Sequence, residues 1–311
     1  MYLPYLRGKQ FELIAVREFA KEHPHNQYII PVIEPVKSTF NSLTTAIKDM
    51  FENELRFSLV LNPIDGDFKR IRKEILSEIS ILDGNKTNWI PALICSSNEE
   101  GDSILSYIKS KDLHNVMLIY KNGIELDDAK MTFLSNPRIS FIVNGDANSR
   151  ITMRKLRTLQ KNIIRLDSCF IERPRNIDYL NIPEEKFTEE HRFYQDDHFY
   201  GISDYTALPK DFIDGGMLPY AVAIHMTYEK NSDEIYVRHF VSDTNDDQSN
   251  IQRKFFEAAS KLKNFFSNKQ KTPAIEALIQ LLDDEKYPGL GVIKKLSIRN
   301  HMELMNRIMS R

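Results

Sequence analysis

The chain has 311 residues, of which 41% are hydrophobic and 28% are charged, a composition typical of a globular protein with a sizeable core. Its 42 basic and 44 acidic residues give a net charge of −2, so nucleic acid is not indicated as a partner by net charge, although a local basic patch is still allowed. No run approaches the roughly 20 apolar residues that cross a bilayer, and two cysteines make no disulfide framework. We therefore expect a cytoplasmic protein without a membrane segment.

Eight short apolar runs recur along the chain, and most of them end on a polar or charged residue. They are QYIIPVIEP, FSLVLNP, WIPALICSS, NVMLIYKN, RISFIVNGD, NIIRLDS, FYGISDYT and YAVAIHMTY. Most are separated by stretches with the apolar spacing of an amphipathic helix, such as 68–82. Continuous Val, Ile and Leu runs that alternate with helices are typical of buried parallel strands. The pattern predicts an α/β fold, a (β/α)8 TIM-type barrel.

Helices are predicted at both ends of the chain. A helix over 10–21 precedes the first apolar run and is expected to close the bottom of the barrel. The run after YAVAIHMTY, EIYVRHFVSD, predicts a hairpin or an extra edge strand, and three helical patterns follow it. We expect a single domain over 1–311, with the barrel strands and helices within 28–242 and the C-terminal helices within 249–311.

A charged segment over 172–197 interrupts the sixth unit of this pattern. It carries Tyr179, Phe187, Phe193 and Tyr194 among its charges, a mixture that is enriched at interfaces. Loops of this length in a compact domain are usually functional or disordered. The segment therefore predicts a surface for a protein partner beside the barrel mouth. The alternative is that these aromatic residues only fix the insertion to the rim of the barrel.

Sequence motifs of several enzyme classes are absent. The chain has no P-loop, no G-x-G-x-x-G, no H-E-x-x-H and no G-x-S-x-G, which argues against P-loop NTPases, dinucleotide enzymes, zincins and α/β-hydrolases. His23 and His25 have the spacing of a metal pair, but they precede a strand, so an exposed turn is the better interpretation.

The residues that end the apolar runs are the candidate site, because active groups of such barrels lie at the carboxyl ends of the strands. We expect catalytic roles for Glu34, Lys121, Asp167, Asp204 and His225, and ligand binding by Asn62, Asn144 and Asp146. Converging carboxylates bind a divalent cation or share protons, and a neighbouring lysine binds phosphate or acts as a base. The alternative is that these residues only satisfy one another at the rim, and His225 alone is more typical of a core histidine.

Two segments carry a family resemblance. The opening YLPYLRGKQFEL with the later IPVIE, and GISDYT with PYAVAIH, resemble the phage-type "beta protein" family, although Phe11 stands where that family usually has glycine. The resemblance implies a barrel and a setting in phage–host conflict, and it implies no settled reaction. The residues that match the family pattern are Lys9, Glu12, Glu34, Asp204 and His225, and Lys9 thereby joins the candidate ligand-binding residues.

Two functions follow as expectations. The first is a component of an anti-phage defence system that acts with a protein partner. The alternative is a metal-dependent hydrolase or phosphodiesterase that acts on a phosphorylated or nucleotide-like ligand. The sequence identifies no cofactor, and a divalent cation is compatible with the carboxylates.

Overall fold

The centre of the protein is a closed barrel of parallel strands. The computed structural model describes residues 1–82, 88–95, 101–145, 148–213, 215 and 218–311. The barrel strands, in order around the ring, are β1 (Tyr2–Leu6), β2 (Val32–Ile33), β3 (Phe57–Val60), β4 (Trp89–Ile94), β5 (Val116–Tyr120), β6 (Ile139–Asn144), β7 (Asn162–Asp167) and β9 (Gly201–Asp204). β9 closes the ring by pairing with β1, with Pro4 opposite Asp204. The predicted (β/α)8 fold is confirmed.

Helices connect most of these strands and cover the outside of the barrel. They are α1 (Gln10–Glu22), α2 (Asn41–Glu52), α3 (Ile75–Glu78), α4 (Gly101–Ser110), α5 (Asp128–Leu134) and α6 (Arg150–Arg157). Their apolar faces pack against the outward-facing strand residues, including Leu6, Leu59 and Leu118, in one core. The inward-facing residues, including Leu3, Val60 and Ile119, fill the barrel with a second core. The described inward-facing residues therefore fill the barrel interior, and a site of the kind found in such barrels is expected at the carboxyl ends of the strands.

The first barrel strand is β1, which the sequence pattern did not identify. The prediction that a helix precedes the first strand is wrong, because α1 follows β1 and is the helix of an ordinary βα unit. β1 is a five-residue strand with a proline at its centre, and proline lowers the expectation of a central strand. All five residues are nonetheless buried. The barrel strands thus begin at Tyr2, before the expected limit of 28, and end at Asp204, before the expected limit of 242.

The run YAVAIHMTY is not a barrel strand. It forms most of β10 (Ala223–Asn231), which pairs antiparallel with β11 (Glu234–Val241), and β11 pairs with β8 (Glu184–Thr188) in a separate three-stranded sheet. In β10, buried and more exposed residues largely alternate, as expected when a sheet covers a core with one face. The hairpin interpretation of the two runs is confirmed, whereas the assignment of His225 to an eighth barrel strand is wrong.

The C-terminal helices complete the core of the small sheet. They are α8 (Ile251–Phe265), α9 (Pro273–Asp283) and α10 (Leu290–Met309), and they bury Phe255, Leu278 and Leu296 against Ile224 and Phe240 of the sheet. α10 also packs against α1 and β1, so it joins the small sheet to the barrel wall. Within the described ranges, no helix has both the length and the apolar character that crossing a membrane requires.

The charged insertion over 172–197 is folded into this second unit. It contains a 3-10 helix (Asn176–Asn181), strand β8 and the short helix α7 (Glu190–Phe193). Tyr179, Phe187 and Tyr194 are buried, and only Phe193, at 47% exposure, remains available to a partner. Three of the four aromatic residues therefore fix the insertion in place, and a partner surface on this segment remains a prediction that depends on Phe193 and the charges.

Candidate functional site at the carboxyl ends of the strands

The direction of each strand-end side chain follows from alternation along the strand. Residues at even spacing face the same side of a sheet. Val32, Val60 and Ile119 face the interior, so the residues two positions later, Glu34, Asn62 and Lys121, also point toward the barrel axis. The other expected residues, Asn144, Asp167 and Asp204, follow interior residues by one position and point outward. Alternation thus divides the predicted site into an inner and an outer set.

Glu34 is the centre of the inner set. Its side chain has no exposed surface. Oε2 accepts hydrogen bonds from Tyr5 Oη at 2.8 Å, from Arg7 Nη1 at 2.7 Å and from Lys121 Nζ at 2.7 Å. Oε1 accepts one from the backbone N–H of Ile64 at 3.2 Å. Burial raises the pKa of Glu34, but the charges of Lys121 and Arg7 outweigh it and hold the pKa below its ordinary value.

Asp65 supplies a second carboxylate to the same cations. Its Oδ2 atom lies 3.0 Å from Arg7 Nη1 and 3.5 Å from Lys121 Nζ. The guanidinium of Arg7 also lies 5.3 Å and 5.2 Å from the ring centroids of Tyr5 and Tyr205. Two cations and two carboxylates therefore form a neutral cluster in the mouth, which we call the mouth cluster: Tyr5, Arg7, Glu34, Asp65, Lys121 and Tyr205.

The segment after β9 covers the mouth cluster. Arg7 Nη2 donates to the carbonyl of Lys210, and Lys9 Nζ donates to the carbonyl of Ile213 at 2.6 Å. Lys210 Nζ in turn donates to Asn122 Oδ1 at 3.0 Å on the opposite side. Lys9 therefore contacts the segment after β9. Its expected role in ligand binding remains a prediction.

Two buried polar atoms of the mouth cluster have no hydrogen-bond partner among the described residues. They are Nε of Arg7 and Oη of Tyr205. Both are donors, and buried donors are normally paired with protein or with water. The mouth therefore has unused capacity to bind an acceptor group.

A cavity of about 850 Å³ opens beside the mouth cluster, over the ends of β3 and β4. Its walls come from the loop after β3, from the end of β4 and from α4. They include apolar side chains and a rim with three basic residues and one acidic residue: Leu61, Phe68, Leu93, Ile94, Ile104, Lys69, Arg72, Lys73 and Glu74. Ile64, whose N–H binds Glu34, also lines it. We call this space the β3–β4 cavity.

Asn62 lies in the wall of the β3–β4 cavity and has a structural role there. Its Nδ2 donates to the carbonyl of Ile94 at 2.9 Å, and its Oδ1 accepts from the N–H of Ile94 at 2.8 Å. The side chain thus continues the pairing of β3 with β4 beyond the last backbone bond. Both halves of its amide are satisfied by this contact, which matches the interpretation that strand-end residues satisfy one another.

The outer set of expected residues lies behind the barrel wall. Asp204 accepts from Tyr2 Oη at 2.7 Å and lies 3.3 Å from His301 Nε2 of α10, so it joins the barrel to the C-terminal helix. Asp167 accepts from Arg165 Nε at 2.6 Å, and burial, opposed by that contact, raises its pKa. Asn144 is buried and contacts Met153 of α6. Asp146 lies outside the described residues.

His225 lies in the small sheet, away from the ends of the barrel strands. Its Nδ1 is 2.7 Å from Nδ1 of His239 on β11, and the rings of Phe170 and Tyr179 pack against it at 5.1 Å and 4.7 Å. Burial, assisted by His239, lowers the pKa of His225 to about 3. The expected residues therefore do not share one cleft: Glu34 and Lys121 belong to the mouth cluster, and Asn62 lines the neighbouring β3–β4 cavity.

Positive side chains occupy the place of a divalent cation in the mouth cluster. Each carboxylate there already binds Arg7 and Lys121, and a metal ion would have to displace them. Among the described residues, one group could hold a metal ion, formed by Glu22, His23 and Glu303. Its two carboxylates both bind Arg299, so they too are neutralised by a side chain.

The sequence did not single out four residues of the mouth cluster: Tyr5, Arg7, Asp65 and Tyr205. Arg7 lies two residues beyond Tyr5 on β1, so the signal was the same strand-end position that identified Glu34, on a strand that the pattern missed. Asp65 lies in a loop five residues beyond β3, where strand spacing no longer applies.

Comparisons with protein-family models, with curated proteins and with solved structures found no match to this chain.

Proposed function

We propose that this barrel recognises a phosphorylated, nucleotide-like ligand in the β3–β4 cavity. The proposal rests on the volume of this cavity, on its position at the carboxyl ends of the strands and on the residues that line it. The volume of about 850 Å³ lies within the range of roughly 300–1,000 Å³ that small-molecule sites occupy. The cavity opens at the carboxyl ends of the strands, where barrels of this type bind their ligands.

The lining suits a ligand with an apolar part and an anionic part. Phe68, Leu93 and Ile104 are buried walls that can pack against a flat ring. On the rim, Lys69 and Lys73 lie near carboxylates, at 3.8 Å from Asp65 and 2.9 Å from Glu78. Arg72 is exposed, and no described residue pairs with its guanidinium. Its planar fork matches two oxygens of a phosphate, so Arg72 is the proposed contact for the anionic group.

The mouth cluster favours binding over hydrolysis. A hydrolase needs a base or a metal ion that activates water. Glu34 stays ionised, but four donors hold its two oxygens, and Asp65 is held by the same two cations. Metal-dependent hydrolysis or phosphodiester cleavage is therefore the second candidate, and a divalent cation would first have to replace Arg7 or Lys121. Turnover of a chromogenic phosphodiester with added Mg²⁺ or Mn²⁺, lost in Glu34→Gln, would favour it.

The biological setting is proposed from the family resemblance alone. We propose that ligand recognition by this barrel serves an anti-phage system and is passed to a protein partner. Cells that express the chain are challenged with phage, with and without the Arg72→Glu change. We expect protection to be lost in Arg72→Glu and kept in Arg70→Glu. Protection that is equal in both variants, or absent in the unchanged chain, contradicts this setting.

Calorimetric titration with mononucleotides, dinucleotides and inorganic phosphate tests the binding site itself. Arg72→Glu reverses the charge on the rim, and Ser103→Trp fills the cavity from α4. We expect Arg72→Glu to weaken nucleotide binding in the β3–β4 cavity at least tenfold, about 1.4 kcal/mol, and Ser103→Trp to abolish binding in that cavity. The matched control is Arg70→Glu, because Arg70 is exposed two residues away and does not line the cavity. Equal loss in both arginine variants, or no binding by the unchanged chain, refutes the proposal.

A further inference from the structure

A groove on the outside of the barrel is lined by four arginines. It lies between α6 and the segment that leads into β9, and its volume is about 560 Å³. Arg150, Arg154 and Arg157 enter it from α6, and Arg165 enters it from β7. We call it the arginine groove. None of the described residues lines both this groove and the β3–β4 cavity.

Helical spacing places three of these arginines on one face. Residues 150, 154 and 157 are four and three positions apart, so their side chains project from the same side of α6. The same helix buries Met153 and Leu156 in the core, which fixes the direction of that face. Arg165 reaches the groove because it points outward from β7, as alternation along the strand requires. Two independent elements therefore direct their guanidinium groups into one space.

Positive charge in the arginine groove exceeds the negative charge that the described residues supply. Arg165 is paired, with Asp167 at 2.6 Å and Glu190 at 3.1 Å. Arg157 donates to the backbone carbonyl of Asp197, which leaves its charge without a carboxylate. Among the described residues, the side chains of Arg150 and Arg154 have no hydrogen bond or ion pair. Asp197 is the one acidic residue in the described lining.

This concentration of basic residues is local, because the whole chain has a net charge of −2. α6 carries four basic residues among eight and no acidic residue. Like charges at helical spacing of three and four repel each other, and a bound anion would relieve this repulsion. Guanidinium groups bind phosphoryl oxygens in pairs of parallel hydrogen bonds. Buried Met153 and Phe199 form an apolar floor beneath them.

We infer that the arginine groove is a second anion site, which binds a ligand with one or two phosphoryl groups. The inference goes beyond the proposed function, because it concerns a different surface and does not depend on ligand binding in the β3–β4 cavity. The groove is a bounded space between α6, Arg165 of β7 and the segment that leads into β9, which fits a compact phosphate or diphosphate. A nucleic-acid strand, which needs an extended row of contacts, fits it less well.

The test is calorimetric titration with inorganic pyrophosphate at fixed ionic strength. It is made on the unchanged chain and on Arg72→Glu, whose β3–β4 cavity carries a reversed charge. We expect both to bind pyrophosphate in the groove. Arg154→Gln, in either background, is expected to weaken this binding at least tenfold. The matched control is Lys155→Gln, which removes the same charge from the same helix at a position outside the groove lining. We expect its affinity to be unchanged.

The outcomes separate the alternatives. Weaker binding in Arg154→Gln only, with the melting temperature of the free variant unchanged, supports the groove. Equal weakening in Lys155→Gln shows a general charge effect and overturns the inference. It is also overturned if the chain binds a single-stranded oligonucleotide but neither phosphate nor pyrophosphate. If neither the unchanged chain nor Arg72→Glu binds pyrophosphate, the inference about the arginine groove is overturned. The nucleotide titrations that test the β3–β4 cavity are not affected by that result.

Discussion

Replacing Glu34 with glutamine tests whether charge holds the mouth cluster together. Glutamine keeps the size of the side chain but removes the negative charge that lies 2.7 Å from both Arg7 Nη1 and Lys121 Nζ. Glu34 has no exposed surface, so water cannot replace the lost interaction. Removing one partner of a buried ion pair costs about 3–5 kcal/mol. Asp65 remains near both cations and offsets part of this cost, so we expect a loss of about 3 kcal/mol.

The change in unfolding temperature follows from the length of the chain. An unfolding entropy of about 2.1 cal/mol/K per residue gives about 0.65 kcal/mol/K for 311 residues, so a loss of about 3 kcal/mol lowers Tm by about 5 °C. Urea unfolding and scanning calorimetry at pH 7 measure both quantities. Glu54→Gln is the control, because Glu54 pairs with His25 at an exposed position, and we expect a loss within about 0.5 kcal/mol. A loss below about 1 kcal/mol for Glu34→Gln would refute the reasoning.

Three further predictions concern pH and backbone conformation. The pKa of Glu34 is lower in the folded chain than in the unfolded chain, so its contribution to stability is present above the unfolded pKa of about 4.3 and is lost as the pH falls below it. Urea unfolding between pH 6 and pH 3 should therefore show a smaller decrease in the free energy of unfolding for Glu34→Gln than for the unchanged chain. Burial lowers the pKa of His225 to about 3 and of His239 to about 4, so their contribution is present above pH 6.5 and is lost as pH falls toward 4. His239→Gln should reduce that slope by up to about 1.4 kcal/mol per pH unit, and an unchanged slope counts against the assignment. Gly8 has φ +61°, and a Cβ there would lie 3.2 Å from the carbonyl oxygen of Glu34, so Gly8→Ala should lower the free energy of unfolding by more than about 1 kcal/mol. Gly289→Ala, at φ +86° with open space around it, should cost less in the same urea assay.

Alternation along the strands explains why the sequence identified only part of the site. The sequence located Glu34, Asn62 and Lys121 because each follows a continuous apolar run. It grouped them with Asp167 and Asp204, because a strand end was treated as a position without a direction. Residues of the inner set lie two positions after an inward-facing strand residue, and residues of the outer set lie one position after it. Both faces of each run are apolar, so the sequence does not mark which residues face inward, and the structure alone separates the two sets.

The sequence by itself determined the class of the fold and the face on which the site lies. Continuous apolar runs separated by amphipathic helices are compatible with few arrangements other than a parallel barrel, because each run has to be covered on both faces. Tertiary structure alone decided which run closes the ring. The pairing of β1 with β9 joins residues some 200 positions apart, and no local pattern distinguishes that partner from the run at 223–231. The pairing of β1 with β2, which sets Leu6 opposite Ile33, brings Arg7 beside Glu34, and the pairing of β10 with β11 places His225 in the small sheet. The position of a side chain in space therefore depends on strand pairing as well as on its own segment.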